Sequence, residues 1–199
     1  MKKGLALFDF DGTISSKDSF LYFLRYTHNF PGIVFNVVRV APYLVAFKLG
    51  MMSNEAAKMK LFNAFYKGVS KDQFDSWARG FLSEINSFIK PKALEQLRRH
   101  KEKGDRVVIV SAGFDLILKY WCEQEGVELL ATCVDVQDNV ITGRFKGPNC
   151  YGIEKVNRIN AHLKLADYEQ IYAYGDSSGD LEMMKISNNP THHKRIFST

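Results

Sequence analysis

Phe8-Asp9-Phe10-Asp11-Gly12-Thr13, led in by the apolar run Leu5-Ala6-Leu7, places two carboxylates at the end of a stretch that reads as a buried strand. Residues at i and i+2 of a strand share a face, so the two acids can converge on one point before Asp11-Gly12 turns the chain. Charge at the end of a buried strand is costly without a partner, and a cation or a phosphate is the expected occupant. Asp-Gly is equally an ordinary turn signal, so these six residues alone leave open an acidic strand-to-turn junction.

Three further segments bear on that choice. Arg106-Val107-Val108-Ile109-Val110-Ser111-Ala112-Gly113 reads as a β-branched strand, a tight turn and the start of a helix from Phe114 to Glu125. Such a junction offers backbone N–H groups, a helix N-terminus and the Ser111 hydroxyl to an anion, although a serine there can also be a simple cap. Lys155, in Tyr151-Gly152-Ile153-Glu154-Lys155-Val156, opens an amphipathic segment running to about Leu163, and by itself reads as a surface lysine. Ile171-Tyr172-Ala173-Tyr174-Gly175-Asp176-Ser177-Ser178-Gly179-Asp180 is an apolar strand ending in two acids across a glycine- and serine-rich loop, the logic of the first motif repeated.

Acid pair, hydroxyl, lysine and acid pair, in that order at successive strand ends, resemble the four motifs of the haloacid dehalogenase superfamily, over Leu5 to Met184. The insertion directly after the first motif, the stretch "IVSAG", the hairpin-like "VDVQDNVITGRF" and "GDSSGDLEMM" look like its phosphoserine-phosphatase-like subfamily, IB. The resemblance implies an α/β fold: a three-layer Rossmannoid parallel-sheet core of residues 1–14 and 91–199, with an α-helical, C1-type cap of residues 15–90 inserted.

The residues suit phosphate chemistry. A phosphomonoester carries two negative charges that repel a nucleophile, so an enzyme needs a cation and fixed donors. Asp9 can supply a nucleophilic carboxylate, and Asp9 with Asp176 can hold a hard Mg²⁺. Lys155 adds positive charge, while Ser111 and backbone N–H groups around Phe10, Asp11 and Ala112 can cradle phosphate oxygens. As the resemblance implies, Asp9 attacks phosphorus to form an aspartyl phosphate, and Asp11 protonates the leaving oxygen and then activates water. It also implies that Asp9, Asp11, Asp176 and Asp180 serve the metal, with Asp180 acting indirectly and orienting Lys155, while Thr13 braces the loop. An acid at position 11 marks the hydrolytic branch, since relatives that retain phosphate or cleave carbon–halogen bonds lack it. A protein that binds phospho-ligands or membranes without hydrolysis is the contrasting class, and the intact Asp9 and Asp11 argue against it.

At 199 residues with 46% hydrophobic content, the chain is expected to be a whole enzyme with one substantial core and a small accessory domain. Cys122, Cys133 and Cys150 match neither a zinc pair nor an even disulfide framework and read as reduced thiols, hence a cytoplasmic setting. Met1-Lys2-Lys3 before apolar residues imitates a signal peptide, but Asp9 and Asp11 interrupt the run too early. His192-His193 read as solvated side chains in a polar tail, and nothing points to nucleic acid.

Residues 14 to 90 lack strand alternation and show helical periodicity. A helix is expected from the capping-box pattern Ser70-Lys71-Asp72-Gln73, with Phe74, Trp77, Phe81, Ile85 and Phe88 on one buried stripe. This insert holds ten Lys and Arg against five Asp and Glu, and so carries the whole net charge of +5. Phe20-Leu21-Tyr22-Phe23-Leu24 and Ile33 to Leu49 are unusually apolar and are expected to be buried cap helices. Arg39 and Pro42 argue against a membrane span. A third reading has this surface meeting an apolar substrate or a membrane, with Arg25, Arg39 and Lys48 meeting phosphate or anionic lipid. Small phosphorylated metabolites and lipid phosphates both remain candidate substrates. Phosphoserine is disfavoured, because Phe20 stands where phosphoserine phosphatases carry an acid for the substrate ammonium; the apolar basic cap looks closer to a second branch containing phosphatidylglycerophosphate phosphatases. After the helix expected from Pro91 to Lys103, alternating strands and helices imply right-handed crossovers. The segment Ala131 to Phe145 reads as a strand or hairpin, and the tail from Asn188 shows no clear apolar edge strand.

Overall fold

The computed structural model describes residues 4–192 and 197, without the side chain of His192. The readings of Met1-Lys2-Lys3 and of the His192-His193 side chains lie outside the described residues. Strand β1 (Leu5–Phe8) is the middle of a five-stranded parallel sheet, flanked by β2 (Arg106–Phe114) and β6 (Ile171–Gly175), with β3 (Glu128–Thr132) and β7 (Asn189–His192) at the edges. Ala6 and Phe8 enter one apolar cluster with Leu97, Ile109 and Trp121; Leu5 and Leu7 enter a second with Val108, Ile159 and Met183. A strand buried on both faces needs apolar residues at every position, which is why β1 reads as a continuous run. Helices α6 (Pro91–Glu102) and α7 (Asp115–Glu125) cover one face, α8 (Ile153–His162) and α9 (Leu181–Lys185) the other, giving three layers.

Register decides where the chemistry goes. Phe8 lies beside Ile109 on one side and Tyr174 on the other, so Asp9, Ser111 and Asp176 emerge at the same carboxyl edge of the sheet. Between β1 and α6 run five helices: α1 (Ser19–Thr27), α2 (Phe30–Lys48), α3 (Asn54–Tyr66), α4 (Lys71–Gly80) and α5 (Leu82–Ser87). The two chain segments leading in and out pair as a narrow neck, with Ser16 N–H on the Phe88 carbonyl and Lys90 N–H on that of Ile14, both at 2.8 Å. Above the neck, Phe20, Phe23, Phe62, Tyr66, Phe74 and Phe81 form an aromatic core. It continues into the sheet layer through Phe114, whose ring centroid lies 4.8 Å from that of Phe20 and 4.6 Å from that of Phe62.

Several expectations change. The edge strand that the tail concealed is present: β7 pairs in parallel with β6, Tyr172 opposite Asn189. An edge strand needs a ladder on one side only, so it tolerates Pro190 and polar residues that a central strand would reject. The strand carrying Ser111 runs on to Phe114, with a shift of register against β3 replacing the expected tight turn. Residues 131 to 145 divide between the end of β3 and an antiparallel hairpin of β4 (Val134–Gln137) and β5 (Val140–Phe145). The helix capped by Ser70, whose side chain accepts from Gln73 N–H, breaks at Phe81 into α4 and α5, yet Phe74, Phe81, Ile85 and Phe88 are buried as expected. The largest departure is α2: only Val40 is buried, and Phe30 (78%), Phe35 (70%) and Val38 (66%) are mostly exposed. An apolar helix is buried only if neighbours cover it on all sides, and α2 rests chiefly on α3 along one side.

Candidate active site

The four motifs meet at the carboxyl edge. Lys155, fully buried on the first turns of α8, places its ammonium 2.7 Å from Asp9 Oδ1 and 2.6 Å from Asp180 Oδ1. The other oxygen of Asp180 accepts from the N–H groups of Asp176 (3.2 Å) and Ser177 (2.9 Å) and from the Ser177 hydroxyl (2.9 Å). Asp180 is thus locked at the start of its short helical turn, and through it Lys155. The Thr13 hydroxyl lies 3.3 Å from Asp9 Oδ2 and 3.2 Å from Asp176 Oδ1, between the two acids. Gly12 makes that approach possible: its φ is +87°, and a Cβ there would stand 2.4 Å from Asp176 Oδ2. Asp9, Asp176 and Asp180 each offer an oxygen within 4.8 Å of the others, a hard donor set suited to a divalent cation such as Mg²⁺.

The side chain of Asp11 lies outside that group of three acids. Its carboxylate turns away from those three acids to accept from Ser19, N–H at 2.9 Å and hydroxyl at 3.0 Å, at the start of α1. Burial pushes its carboxyl up to about 7, with the neighbouring charge of Asp18 adding to the rise. Burial also raises Asp9, to about 6, against the pull of Lys155. Burial opposes but does not overcome the effect of Lys155 on Asp180, whose carboxyl falls below its usual value, and the two carboxylates hold Lys155 above its own. Ser111 is buried beside this group and its Oγ accepts from Gly113 N–H at 2.9 Å.

A cavity of about 330 Å³ opens over these residues, lined by Asp9, Asp11, Ser111, Ala112, Lys155 and Asp180 on its floor. Its opposite wall, from the helical insert, joins the apolar Phe20, Leu21, Leu44, Phe47 and Leu61 to the polar Asp18, Asn54 and Lys58. Two lysines that the motifs did not single out also reach the site from the cap side. Lys58 of α3 donates to the carbonyl of Ala112, and Lys90 of the neck donates to that of Gly12. Neither carries a local sequence signal, because each reaches the site only through the fold of the insert.

A family model described as haloacid dehalogenase-like hydrolase matches residues 6–185. The chain is similar to Protein CicA of Caulobacter vibrioides, 36% identical over 200 residues, covering 97% of this chain and 86% of that protein. It is similar at 25% identity over 216 residues, 94% of this chain and 89% of the relative, to a histidinol-phosphatase of Neisseria meningitidis serogroup C. Among solved structures, a protein of unknown function from Bordetella pertussis Tohama I superposes with a TM-score of 0.82 at 25% identity, over 96% of this chain and 89% of that one. With the family model spanning residues 6–185, and so all four motifs, the chain belongs to the haloacid dehalogenase-like hydrolases.

Proposed function

We propose that the chain is a Mg²⁺-dependent phosphomonoesterase working through an aspartyl phosphate on Asp9, with residues 1–14 and 91–199 as catalytic core and 15–90 as cap. The observation that carries this reading is the buried ammonium of Lys155 bridging Asp9 and Asp180, with Asp176 close enough to share a cation. Asp9 and Asp176 would hold the Mg²⁺ directly and Asp180 indirectly, since Asp180 accepts four hydrogen bonds, from Lys155, the N–H groups of Asp176 and Ser177 and the Ser177 hydroxyl, whereas Asp9 accepts from Lys155 and Thr13. When bound, Mg²⁺ supplies positive charge that relieves repulsion between the Asp9 carboxylate and the phosphoryl group.

Asp9 attacks phosphorus as the bond to the leaving oxygen breaks, and Asp11, whose carboxyl burial raises to about 7, gives that oxygen its proton. The Asp11 carboxylate then takes a proton from a water molecule, whose oxygen attacks the phosphorus of the aspartyl phosphate, releasing inorganic phosphate and restoring Asp9. Ser111, Lys155 and the backbone N–H groups of Phe10, Asp11 and Ala112 receive the non-bridging oxygens. The test is hydrolysis of p-nitrophenyl phosphate with Mg²⁺ and with excess chelator. Asp9→Asn should reduce metal-dependent turnover by at least about 10⁴-fold with the fold intact, because an amide cannot form the acyl phosphate. More than a trace of activity in that variant removes Asp9 as nucleophile.

The thiols of Cys122, Cys133 and Cys150 are unpaired, which supports a reducing, cytoplasmic setting. A second reading concerns the substrate. The exposed face of α2, which contains Arg39 and Lys48 and no acid, continues through Leu44 and Phe47 into the cavity wall. By length and composition alone α2 could also cross a membrane. The continuity favours a phosphomonoester with an apolar leaving group, a lipid phosphate, reached through weak peripheral contact of the cap with a bilayer. Phe20 is buried in the wall against Phe114, while Asp18 beside it lines the cavity and offers a carboxylate to a cationic group of the substrate.

A further inference from the structure

Lys58 is a cation in the cavity that the four motifs leave without a role. It sits on α3, in the cap, and its side chain crosses to the catalytic core. There its ammonium donates to the carbonyl of Ala112, lies 3.5 Å from Asn149 Oδ1 and stands 4.6 Å from the centre of the Phe114 ring. Both oxygen partners are neutral. Asp11, Asp18 and Asp9 attract it, but burial outweighs them and holds its pKa below that of an ordinary lysine. A half-buried ammonium whose close contacts are a carbonyl, an amide and a ring carries charge that an anion in the cavity can complement.

Lys155 cannot serve alone, because its charge is already shared by Asp9 and Asp180 at 2.7 and 2.6 Å. Beyond the charge a bound Mg²⁺ would supply, a phosphate dianion placed against Asp9 meets a lysine whose charge is already shared on the core side, and on the side of the helical insert Phe20, Leu44, Phe47 and Leu61 with Asp18, Asn54 and Lys58. Lys58 lines the same cavity, and its partner Ala112 adjoins Ser111, which sets the ammonium at the phosphate end of the cavity rather than the leaving-group end. Thr132 fixes that corner from behind, its hydroxyl 2.9 Å from the Ala112 carbonyl and 2.8 Å from Asn149 Oδ1.

We propose that Lys58 is a phosphate-binding residue contributed by the cap, whose ammonium meets a non-bridging oxygen of the phosphomonoester beside Ser111. The proposal rests on the phosphomonoesterase reading and deepens it: part of the phosphate site then belongs to the cap, and seating the cap and binding the phosphate become one event. A phosphate oxygen is a stronger acceptor for an ammonium than a neutral carbonyl, because both partners are charged.

The experiment compares wild type, Lys58→Met and Lys58→Arg, with Mg²⁺, reading KM and kcat for p-nitrophenyl phosphate and the inhibition constant of inorganic phosphate. Loss of one charge-assisted hydrogen bond should raise KM and the phosphate inhibition constant together by about 10- to 100-fold in Lys58→Met, with the arginine variant recovering most of the loss. An unchanged phosphate inhibition constant overturns the proposal. If kcat and the thermal midpoint fall instead, Lys58 is a tether between cap and core; if only substrates with a second anionic group suffer, it reads the leaving group. Should Lys58→Met not fold, Lys58→Gln carries the same comparison. Calorimetric titration of the Mg²⁺-loaded protein with inorganic phosphate tests Lys58 without turnover, so an inactive wild type would sink the phosphatase reading while this binding result still decides the role of Lys58.

Discussion

Asp9 and Asp11 stand two residues apart on the floor of one cavity and have different hydrogen-bond partners. Asp9 is paired with Lys155 and lies within reach of Asp176 and Asp180, while Asp11 faces the amide and hydroxyl of Ser19. Burial raises both carboxyls, Asp9 to about 6 against the pull of Lys155 and Asp11 to about 7 with the charge of Asp18 adding to the rise, which leans the first toward a carboxylate beside a cation and the second toward a proton held for transfer. The two roles can be separated kinetically. Asp11→Asn should slow presteady-state phosphorylation by an alkyl phosphate by about 10² to 10⁴, the usual range for a general acid, and phosphorylation by p-nitrophenyl phosphate much less, because nitrophenolate leaves without help. Equal losses on the two substrates would remove the acid role. That these acids matter was legible in the hexapeptide itself; that Ser19 and not the metal group holds Asp11 was not, since Ser19 reads only as the residue after the Asp18 helix cap.

Among the elements, α3 and α2 show what pattern can and cannot convey. Phe62 of α3 is fully buried and packs on Phe114 at 4.6 Å, Phe74 at 6.3 Å and Phe145 at 6.1 Å, joining cap to core. Phe62→Ala should lower unfolding stability by about 3 to 5 kcal/mol, read from denaturant midpoints, by opening a cavity at that junction. A loss under about 1 kcal/mol would mean that the cap core closes without it. Helix α2 has the same apolar character in sequence and the opposite fate, because burial depends on what lies opposite rather than on composition. If it docks on lipid, the protein should co-sediment with vesicles containing about a third anionic lipid at low salt and much less at high salt, as screening shortens the reach of Arg39 and Lys48. Hydrolysis of a soluble ester should vary little over the same range. Absence of vesicle binding at every salt concentration, with good turnover of a soluble metabolite, would leave α2 outside any membrane role.

At the scale of the whole molecule, the site exists only because segments far apart in the chain meet at one sheet edge. Lys155 reaches Asp9 across 146 positions, and the Thr13 hydroxyl reaches Asp176 across 163. A cation bound there ties β1 to the loop after β6, so ligand binding should stabilise the fold as a whole. Saturating Mg²⁺ should raise the thermal midpoint of the wild type, and Asp176→Ala should abolish most of that rise and increase the Mg²⁺ needed for activity far more than Ser111→Ala does. One variant removes a charged ligand, the other a neutral donor. Calcium should inhibit, because its looser coordination would occupy the acids while misplacing the phosphoryl group. Full activity in Ca²⁺ or in excess chelator would contradict this arrangement.

The local chemistry of the chain determined the apolar strands, the acids, hydroxyl and lysine at their ends, and the helical insert, because each depends on residues within a few positions of one another. The same residues made the family legible and, with it, the order of the four motifs around one site. Tertiary structure alone decided the rest. The strand Asn189–His192 forms because β6 offers it an open ladder, not because its own residues favour one. The exposure of α2 follows from how little of the cap lies against it, and the arrival of Lys58 at Ala112 from the seating of α3 on the core. These are contacts between distant segments, and no local pattern encodes a partner that only the fold brings near.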